Sequence, residues 1–180
     1  MQRLLEYVGW EPREMPSGQF ERMEGELGTQ LPGDYKELGE AFGAGTFCDV
    51  IYFCVRDEGK VFDLLSEWHS SLSVEGDSPA GGEGGGASLY APYGIYRPGR
   101  GGLIPWGSTE WADEYYWLAE GPDPASWPIL ARTHSSREWH RFEMSTSEFL
   151  YKALTDPEFS PFGVARYSLD PSFEPVPGSN

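Results

Sequence analysis

Basic residues are scarce in this chain. Its 180 residues carry 13 Lys and Arg against 29 Asp and Glu, a formal charge of −16, and the pI is near 4.4. A surface of that sign repels phosphate, which excludes non-specific nucleic-acid binding by counterion release and adsorption to anionic membranes. Long apolar runs are missing too. The longest, Val50–Val55, is far short of the roughly 20 residues a membrane span needs. Met1–Trp10 holds one basic residue, and its apolar patch Leu4–Val8 is broken by Glu6, so no signal-peptide core is expected there. Cysteine is limited to Cys48 and Cys54. In one extended strand their Cα atoms lie about 20 Å apart, beyond disulfide reach. Two small buried thiols in a reducing compartment, the cytoplasm, are expected.

The chemistry-bearing motifs are equally thin. The glycines 81, 82, 84, 85 and 86 lack a following Lys-Ser/Thr, and Glu83 among them opposes phosphate, so nucleotide binding is not supported. His134 and His140 could face each other across a hairpin, with His69 the only other histidine. Zinc needs three or four donors, and no His-Glu-x-x-His or Cys-x-x-Cys spacing supplies them. No Asp-rich calcium loop is present, and no Gly-x-Ser-x-Gly elbow. Asp113 next to Glu114 is the most suggestive acid pair, but 29 acids make chance pairs inevitable. No catalytic residue, metal or cofactor is therefore assigned.

What is present is aromatic. Leu, Ile, Val and Phe total only 36 residues, near the border of disorder. The 17 Trp and Tyr make up the deficit, because each ring buries a large area. A chain of this size suits one domain. Four helices are expected from spacing. Phe20, Met23 and Leu27 mark the first, ending near Gly28. Pro32 opens the second, with the stripe Leu31, Tyr35, Leu38 and Phe42 and a stop at Gly43 and Gly45. Val61, Leu65, Trp68 and Leu72 form the third stripe, and Ser145 with Glu148 makes a capping box for the fourth, which ends before Pro157. Phe47–Val55 reads as one central strand, and Leu103–Trp106, Tyr115–Ala119, Pro128–Thr133 and Glu138–Phe142 as shorter ones. Short links between them imply an antiparallel meander, and the order of elements implies an α+β fold. Residues 74–87 read as a Gly-rich surface loop, and 157–180 as a Pro-rich tail on a domain of residues 1–156, either partly docked through its first half or disordered.

The stretch Arg100–Leu130 holds Trp106, Trp111, Trp117 and Trp127, four of the seven tryptophans. Trp106 and Trp117 fall in strands and are expected in the core. Gly107–Asp113 is expected to turn the chain, with Asp113 capping backbone amides, which leaves Trp111 as the candidate exposed contact.

This stretch, with Leu31-Pro32-Gly33-Asp34-Tyr35-Lys36 and Phe42-Gly43-Ala44-Gly45 upstream, resembles the SUKH superfamily of bacterial immunity proteins and fungal cell-wall-assembly regulators. The shared order is a Leu-Pro-x-x-Tyr helix, a Gly-x-Gly stop, a strand, a Gly-Leu-hydrophobic-Pro-aromatic-Gly strand, then an Asp before an aromatic strand carrying a Trp. It runs from about Glu21 to Leu154; the Gly-rich insertion and the long tail depart from it. The resemblance implies a non-enzymatic binding domain without a cofactor, and for the bacterial type an immunity protein that neutralises a cognate toxin by direct contact. The charge suits a basic toxin, and residues 61–120 are the most one-sided third, with nine acids against two bases. Glu110, Trp111, Asp113, Glu114 and Asp123 are the candidate partner contacts. Two other readings stand beside this one: a scaffold or regulatory adaptor of the same fold, and carbohydrate binding or hydrolysis through exposed tryptophans and paired acids.

Overall fold

Helix spacing and strand chemistry converge on a seven-stranded antiparallel sheet with helices on both faces, an α+β domain. The computed structural model describes residues 1–12, 18–55, 61–76, 88–134 and 136–176. The helices are α1 (Gln2–Val8), α2 (Gln19–Leu27), α3 (Gly33–Phe42), α4 (Leu64–Gly76) and α5 (Thr146–Thr155). The strands are β1 (Gly45–Phe47), β2 (Ile51–Phe53), β3 (Gly102–Thr109), β4 (Glu114–Ala119), β5 (Ile129–Arg132), β6 (His140–Phe142) and β7 (Phe173–Pro175). Their order in the sheet is β6-β5-β4-β3-β2-β1-β7. The first six strands form a meander and the last closes on the free side of β1. Among the described residues no helix is long and apolar enough to cross a membrane.

The Ser145 hydroxyl accepts from the Glu148 amide at 3.2 Å, so α5 starts at its capping serine. The third stripe starts later than its spacing implies. Val61 is 63% exposed and α4 begins at Leu64, where the carboxylate of buried Asp63 accepts from the Ser66 amide at 2.7 Å. Val74–Gly76 are the last turn of that helix, while residues 77–87 of the expected loop lie outside the described residues. The additional helix α1 buries Leu4 and Val8, four residues apart on one face.

The expected single strand Phe47–Val55 is instead a hairpin. Cys48 and Asp49 take positive φ (51° and 59°) and Val50 donates to the Phe47 carbonyl at 3.0 Å, the geometry of a type I′ turn. Both thiols remain free and buried. The strand after Gly102 likewise runs further than expected, to Thr109. Its register with β4 shifts between Pro105 and Gly107, a bulge at Trp106, whose ring lies 6.0 Å from that of Trp117 on the same face.

One face of the sheet packs against α3 and α5. Trp106, Tyr115 and Phe142 meet Phe149 of α5 at 5.7, 5.0 and 5.3 Å between ring centroids. The other face carries α4 and the segment 88–96, tied by a hydrogen bond of 3.0 Å from Trp68 Nε1 to the Tyr96 carbonyl.

The segment beyond Pro157 belongs to this core as far as Val176. Phe162 is buried beneath α5, and β7 pairs with β1 in the register Gly45↔Pro175 and Phe47↔Phe173. A Cβ on Gly45 would lie 2.4 Å from the Glu174 carbonyl oxygen and 2.5 Å from the Phe173 ring, so only glycine lets β7 seat. Phe173 lies within 5.1 Å, centroid to centroid, of Trp10, Phe42 and Phe47. Phe173→Ala is expected to cost about 3 kcal/mol, as for other buried phenylalanines. Urea denaturation checks this, and an unchanged midpoint would show that the tail is dispensable.

Candidate functional site

The β3–β4 connection is a four-residue turn, Glu110–Asp113. Thr109 and Asp113 close it through the Thr109 amide and Asp113 carbonyl (3.0 Å), and the Asp113 amide donates to Thr109 Oγ1 at 3.1 Å. Asp113 Oδ1 accepts from the His134 amide at 3.2 Å, so this carboxylate ties the turn to the chain leaving β5. Burial pushes the Asp113 carboxyl above its ordinary range, although the His134 amide and Thr109 hydroxyl oppose the shift.

Trp111 stands at the tip. It is 40% exposed and its ring meets Tyr167, itself 48% exposed, at 4.7 Å; Arg166 lies 4.9 Å over the outer ring. The Glu110 amide donates to the Val50 carbonyl at 2.9 Å, which sets exposed Asp49 and exposed Glu110 side by side in adjacent turns. One end of the sheet thus presents an aromatic pair capped by Arg166, with the exposed carboxylates of Asp49 and Glu110 in the adjacent turns.

Glu114 points elsewhere. It pairs with the guanidinium of Arg132, directly opposite it in the β4–β5 register. Arg132 is buried, donates from Nη1 to the Leu89 carbonyl, and lies 4.7 Å over Trp139 and 5.4 Å from Tyr90. This ion pair floors a cleft of about 670 Å³ on the α4 face of the sheet. Glu67 of α4 lines one side, and His134 and Arg137 of the β5–β6 connection line the other. Burial, then the charges of Asp63 and Glu114, raise the Glu67 carboxyl above its ordinary range.

Of the residues singled out from sequence, the structure brings together Glu110, Trp111 and Asp113, with Glu114 turned into the cleft. Asp123 lies beyond the opposite end of β4, five strand steps or about 17 Å away, where it caps Ala125 at 3.0 Å in the short 3-10 turn Pro124–Ser126. The three histidines do not converge. His69 pairs with Glu26 at 3.4 Å and His140 abuts Phe162 at 5.3 Å, while His134 faces the cleft. Among the described residues no group of three His, Cys, Asp or Glu is placed to hold a metal ion. Cys54 also lines the cleft, but burial drives its thiol far above the ordinary range, which makes it a poor nucleophile.

Sequence reasoning missed Tyr167, Glu67, Arg132 and Arg137. Arg132 had a signal, as the lone charge in the apolar run Pro128–Thr133. Tyr167 had only an isolated ring in a proline-rich stretch, and Glu67 is one acid on the polar side of a helix. No protein-family model matches the chain, and no curated protein or solved structure matches it.

Removing one partner of the Glu114–Arg132 pair strands the other. Glu114→Ala is expected to lose about 2 kcal/mol, and Glu114→Leu with Arg132→Met to recover most of that loss; urea denaturation checks both. Glu67 carries a penalty of the opposite kind. Its carboxyl ionises less readily in the folded chain than at the ordinary 4.5, so the folded state is penalised once pH exceeds that value. Glu67→Gln should therefore raise the Tm at neutral pH, and the gain should vanish on acidification below about pH 4, where the carboxyl is protonated in both states.

Proposed function

We propose that the protein is a non-catalytic recognition domain of the immunity type, which binds a basic protein toxin and neutralises it by direct contact. The observation that carries this reading is Trp111. It is the only exposed tryptophan of the seven, and it stands in contact with a second exposed aromatic ring, which Arg166 covers on one side. Tryptophan and tyrosine dominate the binding energy of protein interfaces, with surrounding polar groups excluding water from them. The net charge of −16 adds steering. A negative surface accelerates encounter with a basic partner and selects against acidic ones. Glu110 and Asp49, exposed in the adjacent turns at this end of the sheet, supply that sign locally, against the cation of Arg166 on the Tyr167 ring. Two free, buried thiols suit a reducing compartment, so the cytoplasm is the proposed site of action.

Nothing in this role requires turnover. Asp113 serves the turn and Glu114 serves an ion pair, so both acids of the suggestive pair have structural duties. The proposed mechanism is occlusion: the hairpin tip covers the toxin's active site or its substrate approach.

The test is co-purification with the product of the adjacent gene, followed by growth rescue of cells expressing it. Trp111→Ala with Tyr167→Ala should weaken binding by about 2–4 kcal/mol while leaving the Tm nearly unchanged. Glu110→Lys should slow association at low salt and have little effect at high salt. A chain that neither binds nor rescues would favour the adaptor role instead. Binding that survives the double aromatic substitution would move the interface away from the hairpin tip.

A further inference from the structure

The cleft on the α4 face is a second surface with its own chemistry, independent of any partner at the hairpin tip. Its floor is already satisfied, because Arg132 and Glu114 neutralise each other. Its two sides are not. Glu67 stands on α4, which packs over β3, and the charges that act on its carboxyl, Asp63 and Glu114, are of its own sign. Arg137 and the His134 ring stand across β4 from it, on the chain that leaves β5. Among the described residues neither Glu67 nor Arg137 makes an ion pair. Between the two sides the lining mixes the hydroxyls of Ser70, Ser108 and Thr133 with the apolar surface of Leu89, Pro105 and Tyr116.

From this polarity we propose that the cleft binds a short zwitterionic peptide, its ammonium end at Glu67 and its carboxylate end at Arg137 and His134. The strands beneath the two sides set the scale of the ligand. β3 and β5 are two strand spacings apart, about 10 Å, and an extended chain covers that distance in about three residues. A volume of about 670 Å³ is within the range of small-ligand sites and holds such a peptide. The serine and threonine hydroxyls can both donate to and accept from peptide groups, and the apolar part of the lining accepts small side chains such as those of alanine. The raised Glu67 carboxyl fits the same reading, since a cation beside it would relieve the repulsion from Asp63 and Glu114.

Calorimetric titration of the full chain with trialanine tests the proposal, against N-acetylated, C-amidated and doubly blocked trialanine. Trialanine with free termini is expected to bind in the sub-millimolar range, and blocking either terminus to weaken it by about tenfold. In Glu67→Gln the N-acetyl block should lose its effect while the C-amide block keeps it, and Arg137→Gln should show the converse. Both side chains are exposed and make no contact the fold depends on, and an unchanged circular dichroism spectrum confirms that each variant is folded. Absence of binding at about 10 mM, equal affinity for free and doubly blocked peptide, or dependence on one terminus alone would each overturn the assignment. None of these outcomes bears on toxin binding at Trp111, which is measured separately.

Discussion

Tyr35 joins the layers of this protein. Its ring is fully buried between α3 and the sheet, and it meets Phe20 at 6.0 Å, Phe53 at 5.4 Å and Trp117 at 4.6 Å. Its hydroxyl donates to the Cys54 carbonyl at 2.7 Å, where β2 ends, which offsets the cost of burying it. Trp117 extends the connection, since its indole N–H donates to Thr146 Oγ1 at 3.0 Å in the first turn of α5. One residue before Tyr35, the Asp34 carboxylate accepts from the Ser147 amide at 2.8 Å. Two adjacent side chains of α3 thus fix β2, β4 and α5 relative to one another. A core short of aliphatic side chains is held by rings whose polar tips reach between layers, as at Tyr35 and Trp117, while the buried Trp106 indole N–H and Tyr115 hydroxyl have no hydrogen-bond partner among the described residues.

That arrangement makes the two faces of the sheet unequal. The α3–α5 face is filled by rings from both sides. The α4 face is covered by a single helix over β3 and by the segment 88–96, and between α4 and the β5–β6 chain it keeps the cleft. Arg132 explains why the cleft has a firm floor. Its guanidinium reaches Glu114, the Leu89 carbonyl and the Trp139 ring at once, so it anchors the covering segment to the sheet. An arginine can do this because its planar head donates in several directions and stacks on aromatic faces. The hairpin tip gains rigidity in a similar way, from Asp113 bridging to the His134 amide.

What was legible in the sequence follows from the range of the signals. Helical stripes and caps are local, so α2, α3 and α5 are readable from Phe20, Met23 and Leu27, from the Pro32 start and from the Ser145–Glu148 box. The β1–β2 hairpin was hidden because its turn uses Cys48 and Asp49 at positive φ, where glycine or asparagine would announce it. Flanked by β-branched and aromatic residues on both sides, that turn reads as continuous strand. The seating of β7 was hidden for a different reason. Its partner is more than 120 residues earlier in the chain, and its determinant is an absent side chain at Gly45. At the candidate site, Trp111 was readable from its place in a turn between two strands. Tyr167 and the two sides of the cleft come together only through the tertiary fold.

The residues that the fold does not use are the most informative about function. Five of the seven tryptophans donate their indole N–H to a named acceptor: Trp10 to Ala41, Trp68 to Tyr96, Trp117 to Thr146, Trp127 to Gly121 and Trp139 to Ala91. Trp106 is fully buried among rings and contributes area instead. Trp111 does neither, and leaves two fifths of its surface exposed to water at the end of a turn otherwise braced by hydrogen bonds. Glu67 is its electrostatic counterpart, a carboxyl held near two others of its own sign. Local conflicts of this kind are expected at functional positions in an otherwise self-consistent chain. Exposed apolar area at Trp111 favours a protein surface, whereas unmatched charge inside a concave cleft favours a small charged ligand. The two conflicts differ in their physics, and so the two proposed binding surfaces can be tested separately on one aromatic scaffold.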